Sequence, residues 1–74
     1  MEIKYFKDTD TLYLVFNKNK IENTIDISED ILAEMDETGK IVAITIEHAK
    51  SQTNISSFSV NMKPEISEKL EEFA

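Results

Sequence analysis

Residues 36–46, Asp-Glu-Thr-Gly-Lys-Ile-Val-Ala-Ile-Thr-Ile, constrain the fold of this chain more than any other stretch. They contain its one glycine, Gly39, in a polar tetrapeptide between two apolar segments. Thr38-Gly39 is a turn signal, because glycine reaches positive φ without a Cβ clash. Before the turn, Ile31, Ala33 and Met35 fall on alternate positions; after it, Val42, Ile44 and Ile46 do the same. Two period-2 runs around a short glycine-containing loop predict an antiparallel hairpin.

The rest of the first two thirds has the same rhythm. Glu2–Phe6 alternates weakly and ends in the polar turn Lys7-Asp8-Thr9-Asp10. Residues 11–16 have Leu12, Leu14 and Phe16 on one face and Tyr13 and Val15 on the other, the pattern of a central strand covered on both sides. Leu14 is accordingly expected to be fully buried. After Asn17-Lys18-Asn19-Lys20, Ile21, Ile25 and Ile27 alternate with polar residues as a half-buried strand, and Ser28-Glu29-Asp30 turns into the hairpin. Turns this short predict an antiparallel meander.

Past Ala49 the pattern changes. Residues 50–54 are polar and read as a loop or one helical turn. Phe58, Val60 and Met62 alternate with Ser57, Ser59 and Asn61, predicting a strand over 55–62. Pro64 sits where proline commonly opens a helix, and Ile66, Leu70 and Phe73 follow as one apolar stripe. A helix over 64–73 is too short to stand alone in water and must dock. The expected fold is α+β, an antiparallel β-meander of five to six short strands with a C-terminal α-helix packed on the sheet, in one domain spanning residues 1–74.

Composition narrows the function. The chain has 74 residues and no cysteine, so no disulfide staples it and no thiolate binds metal or attacks a substrate. No long apolar run marks a membrane span or leader, and the chain reads as cytoplasmic. Net charge is −7, with no arginine. The acidity centres on Glu29, Asp30, Glu34, Asp36 and Glu37, with no lysine among them. Such a field disfavours direct nucleic-acid binding and suits a basic protein partner.

Candidate chemistry is thin. His48 is the only histidine and extends the Val42–Ile44–Ile46 face, which makes it an edge-of-core residue. Asp8 and Asp10 share a turn and read as turn residues bonding their own backbone. Asp36-Glu37-Thr38-Gly39 has part of a calcium-loop pattern without the further spaced oxygens or the closing glutamate. No nucleophile–base pair can be named, so no enzyme, metal or cofactor is expected.

Tyr5-Phe6-Lys7-Asp8-Thr9-Asp10-Thr11-Leu12-Tyr13-Leu14 resembles the opening of a family of small prokaryotic proteins, domain of unknown function 2283. That family typically shows a Tyr, a polar turn, then Asp-Ala-Leu-Tyr-Ile. Ile31-Leu32, Asp36, residues 39–46 and Ala49 resemble its second half, so the likeness runs from about residue 2 to 49. This sequence has Asp30 where glycine is common, Ala43 in place of a glycine and Thr45 in place of a glutamate. Some members resemble the second gene of two-gene modules whose neighbour looks like a ribonuclease toxin. The resemblance therefore implies an antitoxin acting on a small basic toxin by binding and occlusion. Its contact residues would be Glu29, Asp30, Glu34, Asp36 and Glu37, with Phe58, Leu70 and Phe73 as apolar anchors. The alternative is a self-associating, homodimeric structural module.

Overall fold

The computed structural model describes residues 1–62; the expected helix over 64–73 lies outside them. Five strands form one sheet: β1 (Glu2–Phe6), β2 (Thr11–Val15), β3 (Asn23–Ser28), β4 (Ile31–Met35) and β5 (Ile41–Glu47). A four-residue helix, α1 (Ala49–Gln52), follows β5. Every pairing is antiparallel, as the alternating runs predict, but the sheet is not a simple meander. Its order is β1-β2-β5-β4-β3, so β2 pairs with β5, and β3 forms the far edge.

That order requires residues 16–22 to cross the ends of β5 and β4. Three strand spacings are about 14 Å, well within the reach of an extended segment of this length. Backbone and side-chain bonds fasten the crossing at each step. Phe16 N–H donates to Val42 O at 2.8 Å, Asn17 Nδ2 to Ile41 O at 3.1 Å, and Glu22 N–H to Met35 O at 2.8 Å. Asn19 Nδ2 donates to Asp36 Oδ2 at 2.8 Å in the middle of the path. Ile21 therefore belongs to the crossover and not to the third strand.

Register assigns the two faces. Leu12 pairs with Ile46 and Tyr5, and Leu14 with Ile44 and Ile3. Ile44 also pairs with Ala33, which pairs with Ile25. Paired residues share a side of the pleat, so these residues form one continuous apolar face. The opposite face is mixed, with Lys4, Tyr13, Thr45, Leu32 and Asp26 in one paired row. Ala43 there is 0% exposed, and the Tyr13 hydroxyl reaches past it from β2 to Glu34 Oε1 on β4, at 3.3 Å. A small residue at 43 leaves room for that bridge.

Among the described residues, the buried apolar set is Ala33, Val42, Ala43 and Ala49, and no large side chain is fully buried. Leu14 is half-buried among the described residues, not fully buried as expected, because they form a single sheet layer with no second layer of large side chains pressed onto it. The strand expected over 55–62 does not form. His48 adopts the left-handed conformation (φ 55°), and the chain turns over the apolar face without running along a sheet edge. The alternation at Phe58, Val60 and Met62 consequently has no ladder to join.

Ala43→Leu should cost about 1–3 kcal/mol, as overpacking does, by displacing the Tyr13–Glu34 bridge. Denaturant midpoints of the variant and the parent chain measure it, and an unchanged midpoint would show that the mixed face has spare room.

Candidate interaction surface

The described residues cover only part of the apolar face. Residues 53–58 cross the β1–β2–β5 side and enclose a trough of about 360 Å³. Ile3, Leu12, Leu14 and Ile46 form its floor, and Asn54, Ile55 and Phe58 its roof. The roof is loosely built. Ile55 is half-buried, Phe58 is 64% exposed, and the segment's own order comes from Asn54 Oδ1, which accepts from Ser56 N–H at 3.0 Å and Ser56 Oγ at 2.6 Å. On the β3 side nothing described covers the face, and Ile25 is 47% exposed.

Each end of the sheet is organised by aspartate. At the crossover end, Asp36 is 7% exposed and both of its carboxylate oxygens are engaged. Oδ1 accepts from Thr38 Oγ1 (2.7 Å), Thr38 N–H (2.8 Å) and Lys40 N–H (3.0 Å), while Oδ2 takes the Asn19 amide. Gly39, at φ 91°, lets the loop curl around this carboxylate, and its N–H donates to Asp36 O at 3.1 Å. The Thr38 hydroxyl and the Lys40 amide hold the Asp36 carboxyl well below the usual carboxylate range. Its oxygens face N–H and O–H donors, so this loop is a hydrogen-bonded turn and not a partial calcium site.

At the opposite end, two turn aspartates receive the chain leaving β5. Asp10, itself left-handed at φ 56°, accepts the Tyr5 hydroxyl at 2.6 Å and the Lys50 N–H at 3.2 Å on Oδ1. Its carbonyl accepts Ala49 N–H at 2.9 Å. The bond to Asp10 pushes the Tyr5 pKa up to about 12 and lowers that of Asp10. Asp30 accepts His48 Nδ1 at 2.9 Å on Oδ1 and Gln52 Nε2 at 2.9 Å on Oδ2. The same Asp30 raises the His48 pKa above its ordinary value. Ser51 Oγ donates to the His48 carbonyl at 2.8 Å, not to the imidazole, so serine, histidine and aspartate do not form a relay here.

These positions revise the sequence reading. The His48 side chain is 70% exposed and leaves the strand face instead of extending it. Asp10 bonds residues of β1 and α1, not its own turn backbone. The five acids do not make one patch: Glu29 and Asp30 lie at one end of β4, Asp36 and Glu37 at the other, about 20 Å apart at strand rise. Glu34 sits between them on the mixed face, half-buried against Tyr13. Asp36 is structural and offers no free carboxylate to a partner. Of the apolar anchors, Phe58 is on the roof of the trough, and Leu70 and Phe73 lie outside the described residues. Sequence reasoning missed the Asp10 and Asp30 contacts. The sole available signal was that each aspartate ends a turn at the same end of the sheet as His48.

Over residues 2–50 the chain matches the family described as Protein of unknown function (DUF2283). This chain belongs to that family. No curated protein and no solved structure matches it. The matched region takes in the whole sheet of this DUF2283 protein and stops inside α1, so residues 53–58 lie beyond it. Of its departures from the family pattern, Asp30 does not have a left-handed backbone, and Ala43 preserves a small residue under the Tyr13–Glu34 bridge. No helix among the described residues is long and apolar enough to cross a membrane.

Asp36→Asn should lower the denaturant midpoint at neutral pH, because an amide presents a donor where the carboxylate accepts. The folded pKa lies below the unfolded one, so Asp36 contributes stability above about pH 4 that is lost as pH falls toward the folded value. Below about pH 4, stability of the variant should therefore fall less steeply than that of the parent in paired denaturation curves. Equal slopes would contradict the role given to this carboxylate.

Proposed function

We propose that this DUF2283 protein is a small acidic protein-binding protein, an antitoxin-like partner that neutralises a small basic ribonuclease-type toxin by occlusion. The observation carrying this reading is the apolar face, which is too extensive for the described residues to cover. Exposed apolar patches of this kind mark interaction surfaces. In the free protein, a helix over 64–73 laid on this face would supply the missing layer through Ile66, Leu70 and Phe73. A helix is about 10 Å wide, two strand spacings, which suits the open β4–β3 side. A partner would take the same face or displace that helix, with Phe58, Leu70 and Phe73 as anchors.

Charge supports the choice of a basic partner. Net charge is −7, and Glu29 and Glu37 stand exposed at the two ends of β4. Carboxylates set this way meet the lysines and arginines that a ribonuclease uses to hold RNA, and steer encounter more than they add affinity. A second reading, the homodimeric module, is favoured by edge strand β3, whose Ile25 and Ile27 are exposed beside unpaired backbone. Light scattering that returns a monomer mass at high micromolar concentration would remove it.

Binding kinetics with the product of the adjacent gene test the first reading. Glu29→Lys with Glu37→Lys should slow association at low salt by about tenfold, and the difference should shrink as salt screens it over about 8–10 Å. Truncation after Lys50 should chiefly speed dissociation. Absence of binding, or association indifferent to both charge and salt, would overturn the electrostatic occlusion mechanism.

A further inference from the structure

We propose that residues 49–58 form a hinged strap over the apolar trough, held shut at its root by the turn aspartates Asp10 and Asp30. Four observations carry this. The strap leaves the sheet at a left-handed non-glycine residue, His48, which reverses the chain sharply (φ 55°, ψ 46°). Its root is tied to two separate turns: Asp10 takes the Ala49 and Lys50 amides, and Asp30 takes the His48 ring and the Gln52 amide. Ala49, at the pivot, is completely buried. Beyond Gln52, by contrast, the strap lies on the trough with only Ile55 half-buried. A segment strongly held at one end and weakly held along its length opens by swinging about the held end.

The root contains the one group among those contacts that titrates near neutral pH. Three carboxylates act on the His48 imidazole, each from a different element: Asp30 from the β3–β4 turn, Glu47 from β5 and Asp10 from the β1–β2 turn. Asp10 is in turn offset by Tyr5 and Lys50. Because the folded His48 pKa is raised, the clasp is complete below the ordinary histidine range and weakens as pH rises through the folded value. Opening uncovers Leu12, Leu14 and Ile46, part of the face assigned above to partner binding. The strap itself needs no toxin, so its test stands apart from that reading.

The chain has no cysteine, so single thiols report cleanly. Leu14→Cys places a thiol on the floor of the trough, and Thr45→Cys places one on the opposite face as a reference. Each modification rate by a small thiol reagent is divided by that thiol's own thiolate fraction, from its separate titration, before the ratio is taken, which removes thiol ionisation. Between about pH 6 and about pH 8.5 that ratio should rise about threefold, a modest effect because the His48–Asp30 pair is exposed. In an Asp30→Asn background the ratio at the lower pH should already match the higher value. His48→Asn, which tolerates the left-handed backbone without titrating, should make it independent of pH. Gln52→Ala, a milder change that removes one Asp30 partner, should raise the ratio without unfolding the sheet. A ratio unchanged by pH, by Asp30→Asn and by Gln52→Ala would overturn the hinge.

Discussion

The antiparallel pairing of β2 with β5 joins the N-terminal hairpin to the β3–β4–β5 unit, and most other features follow from it. It brings Leu12 and Leu14 beside Ile46 and Ile44, which makes one apolar face out of two hairpins. It also places residues distant in sequence at common ends of the sheet. Turns β1–β2 and β3–β4 and the end of β5 meet at one end; the crossover and the β4–β5 turn meet at the other. Closing that pairing forces residues 16–22 to travel over strand ends whose backbone groups need partners. Asp36 satisfies much of that demand, binding its own turn and the passing Asn19 at once.

A single sheet layer has two faces and little interior, and the side chains show how this one copes. On the mixed face, Ala43 is sealed beneath a tyrosine–glutamate bridge. Burial pushes the Tyr13 phenol up, with Glu34 adding to it. On the apolar face the chain folds back on itself after His48 and covers one side loosely, and no other described residue covers the β3 side. Apolar area that the described residues leave uncovered costs about 25 cal/mol per Å² while it faces water.

Aspartate contributes mainly as a multiple acceptor in this protein. Asp10, Asp30 and Asp36 each gather several donors; Asp10 and Asp36 accept backbone N–H groups at turns, and Asp30 accepts the His48 ring and the Gln52 side-chain amide. The acidic stretch from Glu29 to Glu37, which looks like one charged surface in sequence, therefore divides by purpose. Asp30 and Asp36 serve the scaffold, Glu34 bridges to Tyr13, and Glu29 and Glu37 are left facing solvent.

The sequence by itself determined the local elements. Period-2 alternation marked the five strands, though it also marked residues 55–62, which form none; Gly39 marked the β4–β5 turn and the polar tetrapeptides the breaks, because these depend on neighbours a few residues apart. It also carried the family, through the Tyr5–Leu14 and Gly39–Ile46 segments. Tertiary structure alone decided that β2 pairs with β5, that Leu14 is half-covered, that Asp36 is interior, and that His48 leaves its strand to meet Asp30. Strand order turns on which apolar faces merge across many residues, and no periodicity records that. The contacts of Asp10 with Lys50 and of Asp30 with His48 arise from that order, since alternating strands place those turns at one end but only the pairing of β2 and β4 with β5 brings them beside the chain leaving β5.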